Sequence, residues 1–220
     1  MRMRVVSVSV GLPREVQLNG GAVLTSIFKA PVRGPVRVRR LNLDGDQQSD
    51  LSVHGGPFKA VYVYPSEHYA FWRAELPGFD LPWGVFGENL TTEGLLEDTT
   101  FTGDRFRIGS AELVVTQPRM PCFKLGIRFG RDDMARRFLR SGRTGFYLSV
   151  VQEGDLQAGE AVTRVARGAG SVTVTDLIAL YSGEAPDQEL LRRASELPSL
   201  SNGWRKHFRE RLGPSAGLAG

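Results

Sequence analysis

Cysteine is almost missing from this chain: Cys122 is the sole example in 220 residues. An internal disulfide is thereby excluded, so the fold must rest on its core, and a reducing compartment is expected. Iron–sulfur clusters, which need several cysteines, are excluded as well. Histidine is scarce too. His54, His68 and His207 stand far apart in sequence, and no Cys/His pair has the spacing of a zinc site. Lysine supplies only four of the 28 basic residues, so most cations are arginines, suited to forked contacts with phosphate or carboxylate. No apolar run approaches the ~20 residues of a bilayer span. The basic-then-apolar start, MRMRVVSVSVG, alternates valine with serine, which suits a strand better than a signal core. A cytoplasmic protein without a membrane partner is expected. No G-x-x-x-x-G-K-[ST], no G-x-G-x-x-G after a strand and no G-x-S-x-G occurs. The familiar nucleotide cradles and serine hydrolases are therefore set aside.

What is present is ordinary for a globular chain. Hydrophobic residues make up 41% and charged residues 24%, which places the chain away from disordered and membrane classes. Its length suits one large domain, or one domain with a small appendage. The net charge of +4 favours anionic partners, but the arginines are spread along the whole chain. A nucleic-acid binder gathers them on one face, so a small phosphorylated ligand fits better and stable nucleic-acid binding is not expected.

Short alternating strands fill residues 1–165. Val6, Val8 and Val10 alternate with serines, Val36 and Val38 with Arg37 and Arg39, and Phe106 and Ile108 with Arg105 and Arg107. Lys59–Tyr64, Leu113 to Val115, Phe146 to Val150 and Ala161–Val165 continue the pattern. Many short strands with glycine turns predict a mainly β fold, closed or nearly closed into a barrel. Two helices interrupt it. PSEHYAFWRAEL places Pro65 in a first turn and Tyr69, Trp72 and Leu76 on one face. RDDMARRFLRSG orders acids before arginines and ends at Gly142. After the linker ARGAGS, residues 172–213 predict three short helices, Thr175–Tyr181, Asp187–Leu197 and Asn202–Leu212. They bury too little to fold alone and are expected to dock on the barrel or a partner subunit. The basic last helix, WRKHFRERL, would suit an acidic partner.

Three stretches could carry chemistry. In TQPRMPCFKLGIRFG, Arg119 and Lys124 flank Cys122, and neighbouring cations favour a thiolate. A lone cysteine is also commonly an inert core residue, and spacing leaves both readings open. In LDGDQQSDLSVHGGPFKAVYVYP, Gly55 and Gly56 beside His54 and Lys59 could form an anion cradle, or a plain hairpin. Its acids, Asp44, Asp46 and Asp50, lack the calcium-loop spacing. In WGVFGENLTTEG, Glu88, Asn89, Thr91 and Thr92 could bind a polar ligand or satisfy a turn.

Taken together and in this order, GDQQSD, VHGGPFKAVYVYPSEHY, FGENLTTEGL, GDRFRIGSAELVVTQPRMPCFKL and RTGFYL resemble the MOSC domain, in its YiiM-like branch. SLSNGWRKHF resembles that branch's three-helix appendage. Phe58 stands where a more polar residue would be expected. The resemblance implies a MOSC-type β-barrel binding the molybdenum cofactor (Mo-molybdopterin), with Cys122 as catalytic residue and metal ligand. It implies reduction of N-hydroxylated compounds such as hydroxylaminopurines, N–OH to N–H, with electrons from an external flavin or iron–sulfur protein; pyridoxal phosphate is not required. Arg119, Lys124, Lys59 and Arg143 become candidates for the cofactor phosphate, and His54, Gly55, Asn89 and Thr91 for the rest of the cofactor. A homodimer is expected from the edge strands and apolar appendage. Two rival functions remain open. One is sulfur transfer or acyl chemistry by Cys122 paired with His54 or His68. The other is a carrier or sensor that holds the cofactor or another phosphate compound without turnover.

Overall fold

The computed structural model describes residues 3–49, 55–183 and 186–213. Five strands come first: β1 (Arg4–Val10), β2 (Arg14–Leu18), β3 (Gly21–Thr25), β4 (Ala30–Pro31) and β5 (Val36–Val38). A 3-10 turn, Pro57–Lys59, leads into β6 (Val61–Pro65), α1 (His68–Glu75), β7 (Leu90–Glu93), β8 (Arg105–Ile108) and β9 (Ala111–Pro118). Helices α2 (Phe123–Phe129) and α3 (Met134–Arg140) precede β10 (Phe146–Gln152), β11 (Gly154–Leu156) and β12 (Val162–Ala166). The chain continues through α4 (Val174–Ser182), α5 (Gln188–Glu196) and α6 (Asn202–Leu212). None of the described helices is long and apolar enough to cross a membrane.

Eight strands form one sheet in the order β12-β8-β9-β10-β6-β7-β1-β4. All neighbours are antiparallel except β6 and β7. Strand β6 explains the layering. Val61 and Val63 enter an aliphatic core with Leu90, Leu113 and Leu148. Tyr62 and Tyr64 enter an aromatic core with Trp72, Phe86, Phe129 and Phe138, under α1 to α3. A strand buried on both faces reads as one apolar run, as VYVY does.

The sheet is not closed into the expected barrel. Strand β4 has two residues and pairs only with Ser9 and Val10 at the end of β1. The start of β1 meets the turn before β12 instead, through an Arg4–Ala161 bridge and a bond from Val5 N to Glu160 O of 2.9 Å. Two short partners thus share the outer edge of β1; at its start Gly159 N to Val5 O (2.8 Å) and Val162 N of β12 to Met3 O (2.9 Å) add to the contact, without a continuous ladder. The expected phase of β1 also shifts. A register break between Val5 and Ser7 sends Val5 and Val8 into the core and leaves Val6 and Val10 half-buried, as a bulge does.

Pro65 closes β6 opposite Thr92 rather than opening a helix, and α1 starts three residues later with Tyr69, Trp72 and Leu76 inward, as their spacing requires. The short α2 and the β2–β3 hairpin were not foreseen. The hairpin turns on Asn19 and Gly20, both at positive φ, the Asn-Gly signature of a tight β-turn.

Helix α4 joins the helical part to the sheet. Val174 and Ile178 enter the aliphatic core, whereas Leu177 and Leu180 pack with Leu191, Trp204 and Phe208 in a core of their own. A capping box starts α4: Asp176 N donates to Thr173 Oγ1 at 3.0 Å, and Thr173 N to Asp176 Oδ2 at 2.8 Å. Arg211 of α6 donates to the carbonyls of Leu180, Tyr181 and Gly183 at the other end, so this cation is committed to holding α4. At the junction, a Cβ on Gly168 would lie 2.2 Å from Thr102 O, so only glycine allows that approach.

Glu88 is fully buried and collects four donors. Its Oε1 accepts from Tyr69 Oη, Gly84 N (2.9 Å) and Thr91 Oγ1 (3.0 Å), and its Oε2 from Phe86 N (3.1 Å). In Glu88→Gln the best amide orientation keeps the three bonds at one oxygen and turns an NH2 onto Phe86 N–H. The expected loss is about 1–3 kcal/mol, checked by urea unfolding of the two proteins side by side.

Candidate functional site

The site is built where β9 ends. Arg119 N donates to Gly145 O at 3.2 Å, fixing the start of the cysteine loop, and Leu125 N to Cys122 O at 3.0 Å, fixing its end at α2. Gly145 itself has φ 63, and a Cβ there would lie 2.3 Å from Val63 O. Its segment is tied down by Tyr62 Oη to Thr144 O (2.7 Å), Tyr64 Oη to Arg143 O (3.1 Å) and Gly145 N to Glu97 (2.8 Å). Lys59 is brought in by the 3-10 turn. Thr116 Oγ1 lies 2.8 Å from Phe58 O, and Ser149 Oγ 2.5 Å from Pro57 O, pinning the turn to β9 and β10.

These elements enclose a cavity of about 650 Å³, counting its mouth. Cys122 lines it, half-buried, with Lys59, Arg119, Lys124, Lys29, Tyr62, Tyr147, Asn89, Ser26 and Met120. Four cations therefore face one carboxylate, Asp46, among the described lining residues. Asp46 is already engaged. It pairs with Lys29, accepts from Gly11 N at 2.9 Å, and accepts from Asn89 Nδ2 at 2.9 Å. Burial lowers the pKa of Lys29, and Asp46 opposes that.

Arg119 is only 7% exposed, yet among the described residues no carboxylate lies within ion-pair distance of it. Its guanidinium sits 4.8 Å over the Tyr62 ring and 5.3 Å over that of Phe138, with Tyr62 Oη 3.5 Å from Nη1. Burial opposes its charge; the Tyr62 and Tyr147 oxygens and the Cys122 sulfur raise its pKa, outweighing burial only where they are ionised, at high pH. Burial raises the pKa of both tyrosines, Tyr62 the further. Near neutral pH they are phenols, offering Arg119 dipoles and, from Tyr62, a ring face rather than a countercharge. A buried cation held this way is expensive and suits an anion arriving from outside. The Ser26 Oγ in the cavity wall is likewise buried without a hydrogen-bond partner among the described residues. Lys124 Nζ donates to Ser49 Oγ at 3.0 Å. Lys59 has its pKa lowered by burial, partly offset by Cys122.

The sequence-derived residues divide accordingly. Cys122, Arg119, Lys124, Lys59 and Asn89 come together on one cavity. Asn89 holds the wall, since its amide joins Asp46, Ser9 O and Tyr62 N. Thr91 is fully buried and donates to Glu88, away from the cavity. Arg143 lies over Phe71 in a second cavity with His68 and Glu97, where His68 Nε2 meets Glu97 at 2.7 Å. Gly55 does not line the cysteine cavity, and His54 lies outside the described residues. Asp44 is paired with Arg39 and Asp46 with Lys29; Asp50 is also outside the described residues. Lys29, Tyr62, Tyr147, Ser26 and Met120 were missed. Lysine had a signal, because three of the four in the chain face this cavity. Among the described residues no group of three or more His, Cys, Asp or Glu could hold a bare metal ion.

Two outcomes test this electrostatic picture. Arg119→Met removes a buried charge that lacks a carboxylate, so unfolding free energy should fall by no more than about 1 kcal/mol, whereas breaking a true buried pair costs about 3–5 kcal/mol. Denaturant titration distinguishes the two. Sulfate, whose charge is constant over the range, should bind less well as pH rises, because binding favours the Lys59 ammonium. Since burial lowers that pKa, the loss should begin below the ordinary 10.5, and Lys59→Arg should carry binding to higher pH. Calorimetric titration at a series of pH values checks this; affinity that stays flat up to the ordinary lysine value would remove Lys59 from the grip.

Comparison with known proteins now adds to the geometry. Residues 50–163 match the MOSC domain family, and residues 172–213 match the family described as YiiM-like, 3-alpha helix domain. The Bacillus subtilis (strain 168) protein YflK is 38% identical over 207 residues, covering 94% of this chain and 93% of YflK. A protein from Gibberella moniliformis named "Reductase" is 32% identical over 184 residues, 81% of this chain but 32% of that larger protein. The crystal structure of YiiM from Geobacillus stearothermophilus superposes with a TM-score of 0.80 at 33% identity, covering 96% of this chain and 99% of that one.

Proposed function

The chain belongs to the MOSC-domain family, with a YiiM-like three-helix part at its C-terminal end, and from that premise we propose that it is a molybdenum-cofactor-dependent reductase of N-hydroxylated compounds. The observation that carries the reading is the meeting of the sole cysteine with four cations in one cavity. MOSC domains are associated with this cofactor in general, and a relative named as a reductase supports the redox class.

The residues fit such a group. Among the described residues a bare ion would find one thiol and no cluster of further ligands, but a metal delivered inside a pterin dithiolene needs one soft protein ligand. Cys122 would be that ligand. The phosphate of the same group calls for cations, and Arg119, Lys59 and Lys124 would receive it. Lys29 keeps Asp46 neutralised in the wall, so the one described lining carboxylate does not repel it. Ser26 Oγ offers one more polar contact. When bound, the cofactor would supply the two-electron chemistry that converts N–OH to N–H and water. The electrons would come from an external flavin or iron–sulfur protein. On this proposal residues 1–165 form the cofactor-holding MOSC unit and 172–213 its appendage, in a cytoplasmic protein that pairs with a second copy. The rival sulfur-transfer reading loses one of its bases, because His68 is engaged by Glu97 in the other cavity.

Cys122→Ser is the deciding variant. A hydroxyl is a poor substitute for a soft thiolate, so metal per protein and turnover of 6-hydroxylaminopurine with a reduced donor should both collapse. Pterin should be partly retained through the cations. Each charge-assisted contact is worth ~1.5–3 kcal/mol, so Arg119→Met should weaken cofactor binding ~10–150-fold. Wild-type turnover by Cys122→Ser would end this reading.

A further inference from the structure

Met120 belongs to two places at once. It lines the cavity that holds Cys122, and it packs against the separate core of the helical part, which includes Leu177, Leu191 and Phe208. The loop between β9 and α2 is short and is fastened at its ends, by Arg119 N to Gly145 O and by Leu125 N to Cys122 O. Between those points Met120 makes no backbone hydrogen bond among the described residues, and Pro121 has no N–H to give. The side chain of Met120 thus ties this part of the loop to the helical core. Behind it the helical part is itself anchored, by Val174 and Ile178 of α4 in the sheet's core and by Val174 N to Thr100 O at 3.0 Å.

We infer that Met120 is a positioning residue, through which the three-helix part sets where the Cys122 sulfur stands in the cavity. The helical part then acts on the site from behind, without contributing a group that touches the ligand. A thioether is flexible and fills irregular gaps, so it can follow the helical core while keeping contact with the cavity wall. The inference deepens the reading of Cys122 as metal ligand, but the contact itself does not depend on it.

The test uses the full chain without cofactor and exploits its single thiol. The rate of alkylation of Cys122 by iodoacetamide is measured at one pH, well below the melting temperature of each variant. Met120→Ala should change that rate roughly threefold or more, the scale of coupling carried by one packed contact. Met120→Leu, which keeps the volume, should restore it to near the wild-type rate. Phe208→Leu, in the helical core, should shift the rate in the same direction as Met120→Ala. A helical part that only stabilises the fold would give a different pattern: a lower melting temperature in Phe208→Leu with an unchanged alkylation rate. That pattern, or a wild-type rate in Met120→Ala, overturns the inference. If Met120→Ala does not fold, Phe208→Leu decides alone by the same two outcomes. Unchanged alkylation together with loss of metal in Cys122→Ser would reject the positioning role while leaving the cofactor reading intact.

Discussion

One amide side chain stands where the sheet opens into the cavity. Ahead of β7, Asn89 uses its backbone to bond Tyr62 O on one side, at 2.8 Å, and Ser9 N on the other, at 2.7 Å. Its side chain repeats the act, accepting from Tyr62 N at 3.0 Å and donating toward Ser9 O at 3.3 Å. Strands β6 and β1 are thereby kept at fixed distance just where ladder pairing gives out. The same amide turns to Asp46, and Asp46 to Lys29. Sheet geometry, the neutralised carboxylate and the cation wall therefore share a single polar chain. Such a chain is strong when every member is satisfied and costly when one is not.

Rarity was the most informative feature of the sequence. Cysteine and lysine are both scarce, and the sole cysteine meets three of the four lysines in one place. Strand β6 was legible because its two faces feed two different cores, and α6 because its bounds and inward residues Trp204 and Phe208 follow the helical period. The Asn-Gly pair at 19–20 carried a hairpin signal that went unused.

Elsewhere local pattern could not reach the answer. The phase of β1 is set by a bulge between Val5 and Ser7, and nothing in VVSVSV marks it. Thr91 and Arg143 sit in motif blocks, but a motif does not say which way a side chain points. Thr91 faces the buried Glu88, and Arg143 is drawn to Phe71. Whether the strands close depends on the two-residue length of β4. Met120 and Tyr147 also lie in quoted blocks, yet nothing in the local pattern says that they reach the cavity. Their meeting is a tertiary fact, made by β9, β10 and the helical core together.

Ammonium groups are nearly missing from the outer surface. Lys124 is buried and Lys29 and Lys59 are half-buried, whereas the side chain of Lys206 on α6 is 77% exposed. A reagent that couples to primary amines, used sparingly, meets Lys206 before it meets the cavity. Dyes, beads or sensor chips attached by that chemistry through a lysine would hold the chain by α6, with the thiol pocket untouched. Used in excess, the same reagent would convert the pocket's three lysines to neutral amides one after another and leave Arg119 as the one cation among its described lining residues.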